Sequence, residues 1–258
     1  MKQCLFVADC VDFMKDMGAA SVDLTLTSPP YDDMRDYNGY HFDFEAVAEG
    51  LYRVTKEGGV VVWIVGDQTK DGDESGTSFR QALYFKEIGF KLFDTMIWRK
   101  NNSGPFGSNR SYRQCFEYMF VFSKGLPKTA TLLRDVPNAN VGKTHNRHRR
   151  HVDGDHDLEK DKSYEISEYR KRDNIWEYNV ANCKDKTAHE HPAIFPERLA
   201  LDHIQTWTKT GDLVFDPMCG SGTVGKMALS HGRYFIGVDI SPEYIAIAEQ
   251  RLGMLKYL

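Results

Sequence analysis

Two periodicities alternate along this chain. Side chains on a strand point to opposite faces with period two, so alternating or continuous apolar runs predict strands. Such runs lie at 3–8, 22–27, 60–65, 90–98, 116–122, 212–215 and 234–238. Apolar residues that recur every three or four positions predict helices. These segments lie at 13–17, 44–54, 78–88, 195–207 and 223–230, with a last helix that begins after Ser241 as its N-cap and Pro242 as its first residue.

Strands that alternate with helices predict an α/β fold built on a doubly wound, mostly parallel sheet. The run 60–65 is continuously apolar, as expected of a strand buried on both faces. The β-rich runs 90–98 and 116–122 follow each other directly and favour antiparallel strands at one edge. From 123 to 190 the sequence is polar and charged with little periodicity, which predicts an inserted region rather than core.

Composition excludes several classes of protein. The longest apolar run has six residues, whereas a membrane-spanning helix needs roughly 20. The first ten residues lack the apolar segment and cleavage site of a secretion signal. The five cysteines form no CxxC pair and are expected to be reduced thiols. We therefore expect a cytoplasmic protein.

Charge is distributed unevenly. The formal net charge is −4, but the window 99–150 holds eleven Lys and Arg against two acidic residues, a local charge of +9. Such a segment is typical of a surface that meets a polyanion, and a solvated charged loop is the alternative interpretation.

A glycine-containing loop, 216–223, lies between a predicted strand and a predicted helix. Gly220 and Gly222 permit close approach of backbone to a ligand, and the helix N-terminus presents N–H groups. Asp239 follows Gly220 by nineteen residues at the end of the next strand, where an acidic residue accepts hydrogen bonds from ribose hydroxyls in dinucleotide sites. The pair predicts a nucleoside-containing ligand, although strand–loop–helix turns are also common as purely structural features.

The tetrapeptide Ser28-Pro29-Pro30-Tyr31 ends the strand 22–27. Two prolines stiffen this loop, so that the Ser28 hydroxyl and the Pro29 carbonyl are held as acceptors suited to an amino group with two hydrogens. Tyr31 offers a flat face on which a planar base can stack. The alternative is a turn that merely ends the strand.

Together, Ser28–Tyr31 and the loop Asp216–Thr223 resemble the motifs of amino-group DNA methyltransferases that use S-adenosylmethionine, with Met218 and Cys219 as mild departures. The tetrapeptide precedes the glycine loop, the permuted order of the β class. The resemblance implies a circularly permuted, Rossmann-like methyltransferase fold. It divides the chain into a catalytic half at 1–122, an inserted target-recognition region at 123–190 and a cofactor-binding half at 191–258.

The resemblance also implies roles for individual residues. For S-adenosylmethionine these are Asp9, Cys10, His191, Pro192, Phe195, Asp216, Pro217, Met218, Cys219, Gly220, Ser221, Gly222, Thr223, Asp239 and Ile240. The residues implied in catalysis are Ser28, Pro29, Pro30 and Tyr31, and Asp67 is a candidate second acceptor that a simple turn explains equally. No metal is expected, since the histidines near 145–156 lack ligand spacing.

The implied reaction is methylation of the exocyclic amine of a base flipped out of double-stranded DNA. Serine in the first position of the tetrapeptide goes more often with cytosine N4 in this family, and adenine N6 is the alternative. A noncatalytic DNA-binding module, or a methyltransferase acting on RNA or on a protein amide, are further alternatives. The resemblance allows a homodimer and a cognate restriction endonuclease as partners, in a prokaryotic or phage context.

The basic segment supplies candidate DNA contacts, because Lys and Arg neutralise phosphates while Asn and Arg read base edges. These candidates are Lys100, Asn101, Asn102, Arg110, Arg113, Lys143, Arg147, Arg149 and Arg150.

Overall fold

The computed structural model describes residues 4–30, 42–101, 110–150, 156–179 and 196–253, without the side chains of 146–150 and 156–162. Within this part of the chain no helix is long and apolar enough to cross a membrane. The helices are α1 (Cys10–Asp16), α2 (Phe44–Val54), α3 (Thr77–Glu87), α4 (Glu197–Trp207), α5 (Thr223–Ser230) and α6 (Pro242–Gly253).

The strands are β1 (Leu5–Val7), β2 (Val22–Thr27), β3 (Thr55–Val65), β4 (Thr69–Lys70), β5 (Asp73–Glu74), β6 (Lys91–Lys100), β7 (Phe116–Ser123), β8 (Arg134–Pro137), β9 (Thr144–Arg150), β10 (His156–Glu165), β11 (Tyr169–Lys171), β12 (Ile175–Tyr178), β13 (Leu213–Asp216) and β14 (Tyr234–Asp239). Eight of them form one sheet in the order β1-β14-β13-β2-β3-β7-β6-β12. Its neighbours are parallel except where β7 runs antiparallel to β3 and β6. This confirms the predicted doubly wound, mostly parallel sheet.

Helices cover both faces of the sheet. On one face α1, α2 and α3 enclose an apolar cluster that includes Trp63 of β3, Phe85 of α3 and Phe122 of β7. Side chains alternate along a strand, so Met119 of β7 faces the other side, where its sulfur lies 3.3 Å from Nε2 of His203 on α4. Helices α4, α5 and α6 pack there against β2, β13 and β14. The continuously apolar run of β3 is buried as predicted, with Trp63 at 0% exposure.

The observed elements differ from the prediction in several bounds and in the strands β4, β5 and β8–β12, which were not predicted. Two of these differences affect the central sheet. Helix α2 ends at Val54 and β3 begins at Thr55, so residues 55–59, which lie outside the predicted strand 60–65, belong to β3. Strand β12 lies within the predicted insertion, yet it pairs with β6 at the edge of the central sheet and buries Trp176. Its four residues are too short to produce a detectable periodicity.

Residues Leu132–Asp173 form a second compact unit. It consists of two antiparallel ladders, β9 with β10 and β8 with β11. The rings of His145 and Tyr164 stack within it with centroids 5.3 Å apart. In sequence this unit holds ten basic and nine acidic residues. The local charge of +9 therefore extends over segments outside the unit, and the unit itself is nearly neutral.

Candidate active site

The two sequence motifs meet where the parallel strands of the sheet end, at their carboxyl ends. Strands β2 and β13 are parallel neighbours with Thr25 opposite Phe215, so their carboxyl ends emerge together. Thr27 Oγ1 donates a 2.8 Å hydrogen bond to Asp216 Oδ1 across 189 positions of sequence. Both side chains are buried. The strand pair and this bond bring the start of the glycine loop beside the residue that precedes Ser28.

The glycine loop between β13 and α5 is fixed by hydrogen bonds to the end of β14. Cys219 N donates to Val238 O at 2.8 Å, and Gly220 N donates to Asp239 Oδ2 at 2.9 Å. Gly222 adopts φ = 74°, and a Cβ there would lie 2.8 Å from the Cβ of Ala248 on α6. A side chain at position 222 would therefore push α6 away from the loop.

Asp239 lies at the carboxyl end of β14, as predicted. Its Oδ1 accepts a 3.0 Å hydrogen bond from Ser241 N, and its Oδ2 accepts the bond from Gly220 N. A carboxylate oxygen can accept more than one hydrogen bond, so these contacts orient the group and leave capacity for hydroxyl donors. The next residue, Ile240, is 46% exposed.

Asp9 stands at the end of the neighbouring strand β1. Its Oδ1 accepts hydrogen bonds from Val11 N at 2.8 Å and Asp12 N at 3.1 Å, and thereby caps α1. Ala8 N donates to Asp239 O at 3.0 Å. Asp9 and Asp239, both predicted to contact the cofactor, therefore lie at the ends of adjacent, hydrogen-bonded strands. This combination of an acidic residue at a strand end, a glycine loop and the N-terminus of α5 fits the donor and acceptor groups of a nucleoside carrying a carboxylate.

The Asp216 carboxyl lies in an unusual environment. Burial raises the pKa of Asp216 from 3.8 to about 7, while the hydrogen bonds from Thr27 and Met218 lower it and the charge of Asp239 raises it. Burial also raises the pKa of Cys10 to about 12 and that of the Cys219 thiol well above its usual value. These two thiols stay protonated at neutral pH, which agrees with a mechanism that needs no cysteine nucleophile.

A buried arginine, which the sequence analysis missed, supports the glycine loop. Arg251 of α6 is 0% exposed and donates to the backbone O of Ser221, to Ser221 Oγ at 3.0 Å and to Thr223 Oγ1 at 3.0 Å. Its other guanidinium nitrogen lies 3.1 Å from Glu197 Oε1, which also pairs with Lys226 Nζ at 2.7 Å. Helices α4, α5 and α6 thus converge on the loop through one guanidinium group.

The tetrapeptide is described as far as Pro30. Ser28 is half-buried, Pro29 is buried and Pro30 is half-buried at the end of β2. Several other predicted site residues lie outside the described residues, namely Tyr31, Asn102, His191, Pro192 and Phe195.

Asp67 follows β3 and uses its carboxylate to start α3. Oδ1 accepts from Ser78 N at 2.8 Å and from Ser75 Oγ at 3.1 Å, while Oδ2 accepts from Ser78 Oγ. The second-acceptor role predicted for Asp67 stays a prediction, and its contacts favour the alternative, a residue that organises the connection from β3 to α3.

The predicted DNA contacts differ in how they are placed. Lys100 is half-buried, its Nζ pairs with the carboxylate of Glu117, and it lies 5.0 Å from the ring centroid of Trp98. Asn101, Arg110 and Arg113 are exposed. The greater exposure of the two arginines favours them over Lys100 as phosphate contacts.

The remaining candidates lie in the second unit. Lys143 is exposed and donates to Asn140 Oδ1 at 3.0 Å. Arg147, Arg149 and Arg150 lie in β9, and for these three residues the structure describes the backbone only. Their contacts with DNA stay predictions.

Comparison with known proteins identifies related chains. A family model described as DNA methylase, of the N6 and N4 type, matches residues 22–250. The chain is 54% identical to the orphan methyltransferase M.BamHII of Bacillus amyloliquefaciens over 92% of this chain and 91% of that protein. It is 26% identical to the type II methyltransferase M.BglII of Bacillus subtilis over 96% of this chain and 68% of that protein.

Solved structures share the fold. The PvuII DNA methyltransferase, described as cytosine-N4-specific, superposes with a TM-score of 0.70 at 20% identity and covers 96% of this chain and 85% of its own. A putative DNA modification methylase from Thermus thermophilus, complexed with S-adenosyl-L-methionine, gives 0.64 at 22% identity and covers 97% and 94%.

We expect the stability of the protein to depend on pH through Asp216. Its folded pKa of about 7 lies above the ordinary 3.8, so between these values the folded state holds a proton that the unfolded chain has released. The free energy of unfolding therefore falls as pH rises through this window. Asp216→Asn removes this titration. The free energy of unfolding of Asp216→Asn minus that of the wild type, both measured in urea, should be more positive at pH 8 than at pH 5 by on the order of 2 kcal/mol. An equal difference at both pH values would contradict the assignment.

We expect Arg251→Met to loosen the glycine loop. The variant leaves Glu197 and the loop oxygens without their buried donor, which should lower the free energy of unfolding by roughly 3–5 kcal/mol. By calorimetry, binding of S-adenosylmethionine to the folded variant should weaken at least ~10-fold, since each 1.4 kcal/mol of lost interaction is a factor of ten.

Arg233→Met is the matched control. Arg233 also donates several hydrogen bonds, to Thr208 and to His231 O. It precedes β14 and therefore lies at the amino end of the parallel strands, opposite to the glycine loop. Its loss should reduce stability and leave binding unchanged. Unaltered binding by folded Arg251→Met would contradict a positioning role.

Proposed function

This chain belongs to the family of N6 and N4 amino DNA methyltransferases, and on that premise we propose that it transfers a methyl group from S-adenosylmethionine to N4 of cytosine in DNA. The observation that carries the proposal is the Thr27–Asp216 hydrogen bond between the carboxyl ends of β2 and β13. This bond supports the proposal because it joins the starts of a loop suited to a nucleoside and a loop suited to an amine.

The residues at the ends of β1, β13 and β14 would hold the cofactor. The Asp239 carboxylate would accept hydrogen bonds from the ribose hydroxyls, and the N–H groups at the start of α5 would face the carboxylate of the methionine part. When bound, S-adenosylmethionine supplies an electrophilic methyl group on its sulfonium sulfur. Arg251 keeps the intervening loop in place from behind.

The residues at the end of β2 would prepare the amine. The lone pair of an exocyclic amine is delocalised into the base, so the nitrogen is a poor nucleophile. The Ser28 hydroxyl and the Pro29 carbonyl would each accept one amine hydrogen and favour the pyramidal nitrogen that develops during transfer. Tyr31 would stack on the flipped base. Alignment of the two reactants supplies much of the remaining acceleration.

Ser28 favours cytosine as the target. Within the family, serine at this position goes more often with cytosine N4, whereas Asp or Asn goes with adenine N6. Adenine N6 is the second candidate, since the rest of the tetrapeptide serves either base.

The unit 132–173 and the segment that contains Arg110 and Arg113 are proposed to contact DNA. Because the unit is nearly neutral, we infer that it contributes to reading bases more than to nonspecific attraction for phosphates. M.BamHII is described as an orphan methyltransferase, and by analogy we infer that this chain also acts without a cognate endonuclease.

Mass spectrometry of nucleosides tests the proposed function. DNA from a bacterial host without endogenous 4-methylcytosine should contain this nucleoside after expression of the wild type, and sequencing should map it to one recurring sequence. An increase in 6-methyladenine instead would favour the second candidate. A DNA without any new modification would contradict the function, and a tritiated-methyl assay on RNA and protein would then identify the substrate class.

Two variants separate the roles of the loops in the same experiment. Ser28→Ala should lower methylation at least ~100-fold, because an acceptor aimed at the developing charge is lost, while its affinity for S-adenosylmethionine stays within ~2-fold. Asp239→Ala should mainly weaken binding of the cofactor. The reverse pattern would contradict the assignment of roles.

A further inference from the structure

The connection between β6 and β7 begins and ends at the same end of the sheet as the candidate active site. Strand β7 is antiparallel to β3, and Tyr118 lies opposite Val65, the last residue of β3. Residues 110–115, which lead into Phe116, therefore lie at or beyond this end of the sheet. Lys100 N donates to Cys115 O at 2.7 Å and closes the ladder between β6 and β7 there. Adjacent strands are about 4.8 Å apart, so β7, two strands away, lies roughly 10 Å from β2, with Phe120 level with Thr27.

Tyr112 is the most exposed large hydrophobic residue among those described, with a relative exposure of 102%. Phe79 is also exposed, at 52%, but its ring contacts that of Tyr118 with centroids 5.5 Å apart. Tyr112 is fully exposed, and Arg110 and Arg113, which flank it in sequence, are exposed as well.

This combination fits a nucleic acid. Guanidinium groups pair with phosphates, and an aromatic ring stacks on a base whatever its identity. An apolar protein partner would account for the tyrosine but would gain nothing from two cations at its border. Duplex DNA offers phosphates on both strands and a planar surface between them.

Base flipping creates a need for such a ring. A nucleotide that leaves the duplex loses its stacking and its pairing, and the neighbouring bases lose their contact across the gap. An aromatic side chain that enters the gap restores stacking on both sides. Tyrosine has only two side-chain torsions to order, so its insertion into the base stack costs little conformational entropy.

We propose that Tyr112 inserts into the DNA base stack beside the target nucleotide and stabilises its extrahelical state, while Arg110 and Arg113 hold the phosphates that flank the gap. The inference rests on the proposed function, since it requires that the target base is flipped out of a duplex. Tyr112 acts on the DNA and leaves the chemistry to the residues at the end of β2.

Single-turnover methylation of two synthetic duplexes tests the inference. Both carry the sequence mapped for the wild type; in one the target base is paired, and in the other it lies opposite an abasic site and is already unpaired. Tyr112→Ala should slow transfer on the paired duplex roughly 10-fold or more, given the usual contribution of one stacked base. On the unpaired duplex it should change the rate less than ~2-fold, and Tyr112→Trp should restore the rate on the paired duplex.

Tyr234→Ala is the matched control. Tyr234 is 68% exposed at the start of β14, at the amino end of the parallel strands. Its loss should leave both rates unchanged. Equal losses of Tyr112→Ala on the two duplexes, or no loss on either, would overturn the wedge while leaving the proposed function intact. A wild type that methylates neither duplex would overturn the proposed function and the wedge with it.

Discussion

One buried hydrogen bond, from Thr27 Oγ1 to Asp216 Oδ1, joins the two halves of this molecule at the point where the chemistry is proposed to occur. It constrains the ends of β2 and β13, which are neighbours in the sheet although 189 positions separate the two residues. The last residues of these strands cannot move apart without breaking it. The buried Asp216 carboxyl would then keep the bond from Met218 N and lose the one from Thr27, and a lost partner is costly in a buried place.

The order of the motifs along the chain matters little for this geometry. A doubly wound sheet keeps the same strand neighbours when the chain is opened at a different loop, because each strand–helix unit packs on its neighbours independently of where the termini lie. Here the parallel pairing of β2 with β13 brings together the strands that precede the tetrapeptide and the glycine loop. The helix α6, close to the C-terminus, returns to support the loop through Arg251.

Local signals in the sequence predicted much of this structure. Strand β2, helix α2 and helix α5 have their predicted bounds, and Ser241 caps α6 through a 3.2 Å bond to Tyr244 N. Longer-range features were not readable. In sequence, Arg251 resembles any other cation of an amphipathic helix, because its acceptors come from distant parts of the chain. Strand β12 is too short to be recognised without the strand that it pairs with. Lys100 illustrates the same limit, because its partner Glu117 faces it only across the β6–β7 ladder.

A double-mutant cycle on Thr27 and Asp216 tests the central claim most directly. Single-turnover methyl transfer would be measured for the wild type, Thr27→Val, Asp216→Leu and the double variant. If the bond holds the two loops in register, each single change slows transfer, and the double variant is no slower than the slower single variant, with a coupling energy of about 1 kcal/mol or more. Additive effects, or rates unaffected by either substitution, would contradict the account.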